Sequence, residues 1–315
     1  MKEKSVSVVT AVLNRKHQIK EYLDAILSSN YKNYEIIVVD GNSTDGTKEI
    51  LYNYAKKNRK LKVFIEKKPG RNAARNLGIN KSRGEIIIFV DSDCIVSKNW
   101  MREIVKPFSD KEVGGVIGRT MADKKGIFWY HMENDYLQFI GHNSAYRKVI
   151  IKKLNGFDLR FRTAKEDTDL AWRVIENGYN VVFAKKAEMI HLSRRVSIFY
   201  RIKNQYTYIY DGLLRKKHKK LYRKYFYDRH VPLPAPLWPA ILAPFLLAVF
   251  VYTVFNLKFL AIFIALTYTV IVSKKLYENK EGKINEKLSF LAFAWMLPLS
   301  RFFYFVWGYF KFRKV

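Results

Sequence analysis

The sequence contains a single cysteine, Cys94, among 315 residues. A chain with one cysteine forms no intrachain disulfide and no cysteine-based zinc cluster, so the thiol is expected to fill space beside a strand end. The N-terminus, MKEKSVSVV, lacks the basic start, long apolar run and small-residue cleavage site of a signal peptide. We therefore expect the front of the protein to stay in the cytoplasm.

Acidic residues are scarce, because 28 Asp and Glu stand against 57 Lys and Arg, giving a formal net charge of +29. The excess is uneven: residues 194–230 contain twelve Lys and Arg but only Asp211 and Asp228. Such a region favours a polyanionic partner, and nucleic acid and anionic lipid both qualify. The length predicts one α/β domain followed by a further region.

The stretch GEIIIFVDSDCIV, residues 84–96, is the most informative in the chain. Its apolar run predicts a strand buried on both faces. Asp91 and Asp93 follow two residues apart, so their carboxylates point the same way if the chain stays extended, into the crevice where α/β sheets bind ligands. We interpret the pair as an Mg²⁺ or Mn²⁺ site that also holds a diphosphate; a solvated turn is the alternative.

Apolar runs alternate with helical segments, which predicts a mostly parallel α/β sheet flanked by helices. The runs cover residues 5–13, 35–39, 61–66 and 85–90. Asp40 follows the second run and could accept hydrogen bonds from a nucleobase, although a helix-capping loop explains it equally well. Arg71 and Arg75 lie at a helix start after the third run, which suits a phosphate, but arginines there are often simply solvated.

Three acidic residues stand together in the segment KEDTD, residues 165–169, at a predicted helix start. Acids there interact favourably with the helix dipole, but three within four residues exceed what capping needs. The surplus predicts a catalytic carboxylate, with Asp167 as the candidate base. Further strands are expected at residues 113–118 and 141–147, and an aromatic-rich helix or loop at 128–140.

Four separated features resemble family 2 glycosyltransferases with the GT-A fold, over roughly residues 5–195. They are Asn14-Arg15 after the first strand, Asp40 with Ser-Thr-Asp-Gly-Thr, Ala-Ala-Arg-Asn-x-Gly ahead of Asp91-x-Asp93, and Glu166-Asp167. Each motif alone is weak evidence for the family. Four motifs in this order are strong evidence, because the probability that all four match by chance is the product of four small probabilities. The resemblance implies inverting transfer of a sugar from a nucleotide-diphospho-sugar.

The resemblance also implies roles for single residues. By position, Asp40 corresponds to the base-binding aspartate, Asp91 to a ribose or metal contact, Asp93 to the metal ligand and Asp167 to the general base, while Asn14, Arg71 and Arg75 join the nucleotide-sugar site. The metal, Mn²⁺ or Mg²⁺, and an arginine would neutralise charge on the departing diphosphate. If the acceptor is a lipid phosphate no base is needed, and Asp167 or Glu166 would position the acceptor or a second cation.

His191 falls near the end of the predicted catalytic domain, where related enzymes often place a residue that reaches the diphosphate or metal. An ordinary half-buried histidine is the alternative. The sequence departs from one branch of the family, because it lacks the Q-x-x-R-W motif of processive cellulose and hyaluronan synthases. That absence favours transfer of a single sugar over polymerisation.

Hydrophobic segments follow the basic region. Residues 237–257 are apolar and uncharged over about 21 residues, enough to cross a bilayer as a helix. Residues 259–273 form a second run, and residues 288–310 a third that Pro298 and Arg301 interrupt. Alternating aromatic and basic residues before them are typical of interfacial helices, and lysines in residues 274–287 indicate a cytoplasmic loop.

The sequence thus predicts a GT-A catalytic domain at residues 1–193, basic aromatic interfacial helices at 194–232 and a transmembrane region at 233–315 of an integral protein of the cell membrane. The predicted function is transfer of one sugar from a UDP- or GDP-sugar to a lipid-linked acceptor, polyprenyl phosphate or a lipid-linked saccharide, at the cytoplasmic face. Alternatives are a non-catalytic membrane scaffold that binds sugar nucleotide, a polysaccharide synthase, and nucleic-acid binding, which the adjacent hydrophobic spans disfavour.

Overall fold

The computed structural model describes residues 3–226 except 127, 131 and 136, together with residues 262, 266–270, 273, 287 and 296–312. The chain divides into two units. The first unit contains Met1–Lys124 and His131–Ser193, and the second contains Lys125–Tyr130 and Arg194–Val315.

Among the described residues, ten strands form two sheets. They are β1 (Val6–Val12), β2 (Tyr34–Asp40), β3 (Leu61–Ile65), β4 (Ile86–Val90), β5 (Cys94–Val96), β6 (Val113–Ala122), β7 (Trp129–Tyr130), β8 (Asn143–Arg147), β9 (Asn180–His191) and β10 (Arg194–Arg195). Eight of them build the sheet of the first unit, in the order β3-β2-β1-β4-β8-β6-β9-β5. Four of its seven neighbouring pairs are parallel, and each antiparallel pair involves β8 or β5. The mostly parallel α/β sheet predicted from the sequence is confirmed.

Helices cover both faces of this sheet. In the first unit they are α1 (Ile19–Leu27), α2 (Thr47–Lys57), α3 (Arg71–Lys81), α4 (Trp100–Val105), α5 (Lys148–Lys153) and α6 (Glu166–Glu176), with a 3₁₀ turn at Lys106–Ser109. Strand side chains alternate between the faces. Ile86 and Ile88 of β4 join one core with α1 and α4, whereas Ile87 and Phe89 join a second core with α3, α5 and α6. The sheet is therefore buried on both sides, as the solid apolar runs predict.

The long strand β9 has no counterpart among the predicted strands. Its interior contains Lys185 and Lys186, both exposed, so the apolar pattern that identifies a strand is broken there. The partner strand β6 has a register irregularity between Gly118 and Arg119, opposite the same stretch. The aromatic segment 128–140 contains β7 and otherwise irregular backbone among its described residues.

The described part of the second unit contains the small antiparallel sheet of β7 and β10 and four helices. They are α7 (Ile198–Asn204), α8 (Ile209–Lys217), α9 (Lys219–Phe226) and α10 (Met296–Lys311), with a 3₁₀ turn at Gln205–Tyr208. Helices α8 and α10 cross at two glycines. An added Cβ at Gly212 would lie 2.6 Å from the backbone carbon of Gly308, so neither position accommodates a side chain without separating the helices.

The predicted segment 237–257 lies outside the described residues, as do more than half of 259–273 and residues 288–295. Within the part of the chain that the structure describes, every helix falls short of the length and apolarity that a bilayer crossing requires.

Candidate functional site

The loops that follow β1 and β2 are joined by hydrogen bonds. The Asn14 backbone N–H donates to Ser43 Oγ at 2.8 Å, and the Thr44 N–H donates to Asn14 Oδ1 at 2.9 Å. Asn14 has a left-handed backbone with φ 53°, which asparagine tolerates better than most residues. Because β1 and β2 are parallel neighbours, these loops share one edge of the sheet. The sequence-predicted residues Asn14 and Asp40 both lie at this edge.

Asp40, the last residue of β2, is fully buried. Its Oδ1 accepts hydrogen bonds from the Ser43 backbone N–H at 3.0 Å and from the Ser43 hydroxyl at 2.5 Å. Its Oδ2 has no hydrogen-bond partner among the described residues. A buried acceptor without a partner is costly, so this oxygen is suited to receive a donor group from a ligand.

Four charged side chains form the arginine network, defined here as Asp91, Arg71, Arg75 and Glu166; Arg75 and Glu166 are buried, Asp91 is half-buried and Arg71 is exposed. Arg75 is 2% exposed and places Nη2 2.8 Å from Asp91 Oδ1 and Nη1 3.6 Å from Glu166 Oε1. Arg71 hydrogen-bonds Glu166 Oε1 and lies 3.8 Å from Asp91 Oδ2. Burial opposes ionisation of Asp91, but the two guanidiniums hold the pKa of that carboxyl well below its usual range. The network therefore joins α3, α6 and the end of β4 through paired charges.

Asp93, Cys94 and His191 form a second group, the strand-end cluster, whose ligand atoms all lie within 4.8 Å of one another. His191 Nε2 is 3.6 Å from Asp93 Oδ1, and Arg15 Nη2 is 3.9 Å from Asp93 Oδ2. Burial and the neighbouring Asp91 carboxylate raise the pKa of Asp93 above its usual range, because the nearby cations compensate them incompletely. Burial and the same carboxylates raise the pKa of the Cys94 thiol, which keeps it protonated.

Asp167 lies beside the arginine network at the start of α6. Burial and the adjacent Glu166 carboxylate raise the pKa of Asp167 to about 6, although Arg71 and Arg75 oppose the shift. The backbone of Gly141 passes close by, since an added Cβ there would lie 3.0 Å from Asp167 Oδ2. A side chain at position 141 would therefore press on this carboxylate and displace it by a few tenths of an ångström.

The third acid of the KEDTD segment has a structural role. Asp169 is fully buried, and its Oδ2 accepts from Arg173 Nε at 2.9 Å, one turn along α6. Arg173 also donates to the carbonyls of Leu154 and Gly156 at 2.6 and 2.7 Å. The surplus of acids noted in the sequence is therefore divided between a buried ion pair, the arginine network and the half-buried Asp167.

One buried histidine at the site was missed by sequence reasoning. His142 is 5% exposed, its ring centroid lies 5.2 Å from that of His191, and its Nε2 has no hydrogen-bond partner among the described residues. Burial lowers the pKa of His142 to about 3 in spite of the attraction of Asp91, so the ring is neutral. It precedes β8, and only the pairing of β8 with β4 brings it near Asp91. A single sequence contains no signal for that register.

The sequence-predicted residues thus gather at one edge of the sheet. Asp91, Asp93, Arg71, Arg75, Glu166, Asp167 and His191 are linked through the arginine network and the strand-end cluster. Arg15, which follows Asn14, connects the β1 loop to Asp93. The arrangement can bind an anionic ligand beside a cation and place a carboxylate of raised pKa next to both.

The fold and this arrangement define a GT-A-like α/β protein. Similar solved structures include the mannosyltransferase PcManGT from Pyrobaculum calidifontis in complex with GDP-Man and Mn²⁺, at TM-score 0.58 and 19% identity, covering 98% of this chain and 87% of that chain. Staphylococcus aureus TarS 1–349 in complex with UDP has TM-score 0.53 and 18% identity, covering 98% and 91%. At these identities the likeness concerns the fold.

The family model described as glycosyl transferase family 2 matches residues 7–168, more than half of the chain, and the chain belongs to that family. Among relatives, glycosyltransferase AglE of Haloferax volcanii is 39% identical over 118 residues, 36% of this chain and 39% of that protein. Glycosyltransferase GlyG of Streptococcus pneumoniae is 33% identical over 130 residues, 40% of this chain and 43% of that protein. The matched part of the chain spans less than half the length of these relatives.

Proposed function

We propose that the protein is an inverting glycosyltransferase that moves a single sugar from a UDP- or GDP-sugar to a lipid-linked acceptor. The observation that supports this best is the convergence of Asp93, the paired Arg71 and Arg75, and Asp167 at one sheet edge. They meet three needs of sugar transfer: a cation ligand, positive charge for the leaving diphosphate and a base for the acceptor. Family membership and the likeness to a structure that holds GDP-Man and Mn²⁺ support a nucleotide-sugar donor.

A divalent cation, Mn²⁺ or Mg²⁺, fits the strand-end cluster. Asp93 carries a carboxylate whose charge the surroundings disfavour, and His191 Nδ1 is buried without a hydrogen-bond partner among the described residues. Asp93 and His191 would hold the cation, with Asp91 as a further carboxylate beside them, and oxygen and imidazole ligands suit Mn²⁺. The protonated Cys94 thiol is a poor ligand for such a cation. When bound, the cation supplies positive charge against the leaving nucleotide diphosphate.

Arg71 and Arg75 bind the diphosphate in this proposal, and Glu166 holds both guanidiniums in position. A guanidinium pair fixed by carboxylates is pre-organised for a phosphate, so little is lost in ordering the side chains. The nucleoside lies toward the loops of β1 and β2, where Asn14 shapes the loop and Asp40 Oδ2 accepts a hydrogen bond from the base.

Asp167 deprotonates an acceptor hydroxyl, which then attacks the sugar from the face opposite the diphosphate. A pKa of about 6 leaves the carboxylate mostly ionised at neutral pH and a stronger base than an ordinary aspartate. With a lipid phosphate as acceptor, the nucleophile is already anionic, and Asp167 orients it without accepting a proton.

The second unit supports a membrane-associated acceptor. Helix α10 has an apolar stripe of exposed side chains at helical spacing: Met296, Phe303, Trp307 and Phe310. Helix α9 exposes Arg223, Lys224 and Tyr225. Aromatic and apolar side chains beside cations suit the headgroup level of an anionic bilayer. We propose that this unit anchors the protein at the cytoplasmic face of the cell membrane.

The proposal is tested with a panel of UDP-glucose, UDP-N-acetylglucosamine and GDP-mannose in Mn²⁺, using membranes that contain the full chain. Release of nucleoside diphosphate is followed with and without polyprenyl phosphate. We expect one donor to turn over, faster with polyprenyl phosphate, and Asp93→Ala to lower that turnover about 10²- to 10³-fold. The matched control Asp135→Ala, which removes a carboxylate 73% exposed, should retain it.

Each other outcome contradicts a defined part of the proposal. No turnover with any donor, although a sugar nucleotide binds, indicates a non-catalytic scaffold. Products lengthened by many sugars indicate a polysaccharide synthase. Transfer to soluble acceptors alone would mean that the second unit does not serve to bring a lipid-linked acceptor to the site.

A further inference from the structure

His142 has no part in the mechanism above, although it lies within the site. It is the residue before β8, and β8 pairs antiparallel with β4 so that Asn143 is opposite Val90. One step further along this pair, His142 comes opposite Asp91. On its other side is Gly141, whose backbone lies against Asp167. The histidine therefore follows directly on a residue that lies against the candidate base, and it comes opposite Asp91 of the arginine network across the strand pair.

The backbone around His142 is fixed. The Asn143 side chain donates to the carbonyls of Arg119 and Ala187 at 2.8 and 3.1 Å and accepts from Trp100 Nε1 at 2.8 Å. The Ser144 hydroxyl donates to the Gly141 carbonyl at 3.0 Å. Because these groups are buried, His142 is presented in a constant position, as a residue that recognises a ligand must be.

The imidazole has an unused polar atom. Nε2 is buried and has no hydrogen-bond partner among the described residues, and the ring meets His191 at 62° with 5.2 Å between centroids. His142 is not a member of the cluster whose ligand atoms lie within 4.8 Å of one another, so a role as a further cation ligand is disfavoured. A buried nitrogen left without a partner is costly unless a ligand completes it.

We propose that His142 determines donor specificity by hydrogen-bonding, through Nε2, a hydroxyl of the transferred sugar. The inference rests on the proposed function. In a transfer with inversion the sugar must lie between the groups that hold the diphosphate and the base that faces the acceptor. His142 adjoins both, because it follows Gly141, where an added Cβ would lie 3.0 Å from Asp167 Oδ2 and 3.2 Å from Arg75 Nη1. The diphosphate is matched by Arg71 and Arg75. A hydroxyl both donates and accepts, so it can pair with Nε2 whether that nitrogen donates or accepts, whereas a phosphate oxygen only accepts.

The test compares binding of a nucleotide sugar with binding of its sugar-free nucleoside diphosphate, both in Mn²⁺, by calorimetry on the full-length protein. The donor is the one of UDP-glucose, UDP-N-acetylglucosamine and GDP-mannose that wild type binds. We expect His142→Ala to weaken nucleotide-sugar binding about 3- to 10-fold, the range of one hydrogen bond, and to change UDP or GDP binding less than twofold.

Two further variants separate hydrogen bonding from packing. His142→Gln carries an amide nitrogen at about the reach of Nε2 and should recover most of the lost affinity. His142→Asn ends near the position of Nδ1 and should behave like His142→Ala. The Gln and Asn pair decides the question even if the alanine variant is unfolded, since both retain a polar side chain of similar volume.

Equal weakening of the nucleotide sugar and the nucleoside diphosphate would assign His142 to the diphosphate and overturn the inference. Weakened Mn²⁺ binding alone would assign it to support of His191 and overturn it as well. Identical nucleotide-sugar affinities in wild type and all variants would also overturn the inference about His142, but they would leave the proposed function intact. A wild-type protein that binds no nucleotide sugar would overturn the proposed function itself.

Discussion

Two aspartates of the same D-x-D motif lie in opposite electrostatic surroundings. Asp91 has Arg75 at 2.8 Å and Arg71 at 3.8 Å, and its pKa is lowered well below the usual range. Asp93 has Arg15 at 3.9 Å and His191 at 3.6 Å, and its pKa is raised by burial and by Asp91 itself. Every charge of the arginine network lies within 4 Å of an opposite charge that is itself buried or ion-paired, whereas the only arginine near Asp93 among the described residues is the exposed Arg15.

The difference predicts which property a variant of each group changes most, although Arg71 and Arg75 also bind the diphosphate in the proposed function. Buried charges that are paired hold elements together, and removing one partner leaves the other uncompensated. A buried carboxylate whose charge is disfavoured is a candidate functional group, because a ligand of opposite charge relieves it. We therefore expect variants of the arginine network to change stability first, and variants of the strand-end cluster to change cation binding and activity first.

The largest effect is expected for Asp93→Ala. Loss of the cation ligand should lower sugar transfer about 10²- to 10³-fold and remove its dependence on Mn²⁺. The thermal midpoint of the protein without Mn²⁺ should stay equal or rise, because the folded state no longer contains a disfavoured charge. Transfer rates and melting curves with and without Mn²⁺ measure both. A lowered midpoint without Mn²⁺ would show that Asp93 is a structural residue like Asp91.

The second effect concerns the arginine network. Arg75→Ala leaves Asp91 and Glu166 sharing Arg71 alone, and Glu166 is 1% exposed. We expect the free energy of unfolding to fall by about 3 kcal/mol, the range for breaking a buried ion pair. Urea denaturation measures it, with Arg160→Ala as the control, since the Arg160–Asp158 pair is largely exposed at the arginine and should contribute less than about 1 kcal/mol. Equal unfolding midpoints for the two variants would mean that the buried ion pairs of Arg75 stabilise the fold no more than the exposed ion pair of Arg160.

The third effect is a pH dependence from Asp167. Transfer to an acceptor hydroxyl should rise with pH through a midpoint of about 6 and level off above it, and Asp167→Asn should lack this limb. The stability of the protein changes with pH in the opposite direction. A carboxyl whose folded-state pKa is raised contributes stability that is present below its unfolded pKa of about 3.9 and lost as pH rises through about 6.

Asp167→Asn should therefore match wild type in stability near pH 3.5 and exceed it at pH 7. Urea denaturation at both pH values measures the difference. A variant less stable than wild type at pH 7 would mean that the charged carboxylate is stabilised by Arg71 and Arg75, and that Asp167 belongs with the arginine network.

Much of the fold could be predicted because β4 is a solid apolar run and β1 and β2 are mostly apolar, a pattern that follows from burial on both faces. The carboxylate pair was found for the same reason, since it directly follows such a run. The strand β9 was missed because the exposed Lys185 and Lys186 interrupt its pattern. Local patterns identify elements whose environment is uniform along their length.

The pairing of charges could not be predicted from the sequence. Arg75 and Glu166 are 91 residues apart, and nothing local shows that one is the partner of the other. For the same reason the segment KEDTD could not be divided into a structural Asp169 and a half-buried Asp167 before Arg173 was placed. Long-range partners, which decide whether a charge is compensated, are properties of the tertiary structure.

The smallest effect is expected for Arg15→Ala, and it tests the strand-end cluster most finely. Arg15 is 43% exposed and 3.9 Å from Asp93, so its attraction is screened by water and is worth at most about 1 kcal/mol. If Arg15 only substitutes for an absent cation, its removal should strengthen Mn²⁺ binding by up to about fivefold, measured by calorimetry without nucleotide. Weakened Mn²⁺ binding would instead mean that Arg15 orients Asp93. Asp91 and Asp93 would then both be carboxylates held in place by arginine, and they would differ only in the number of guanidiniums that hold them.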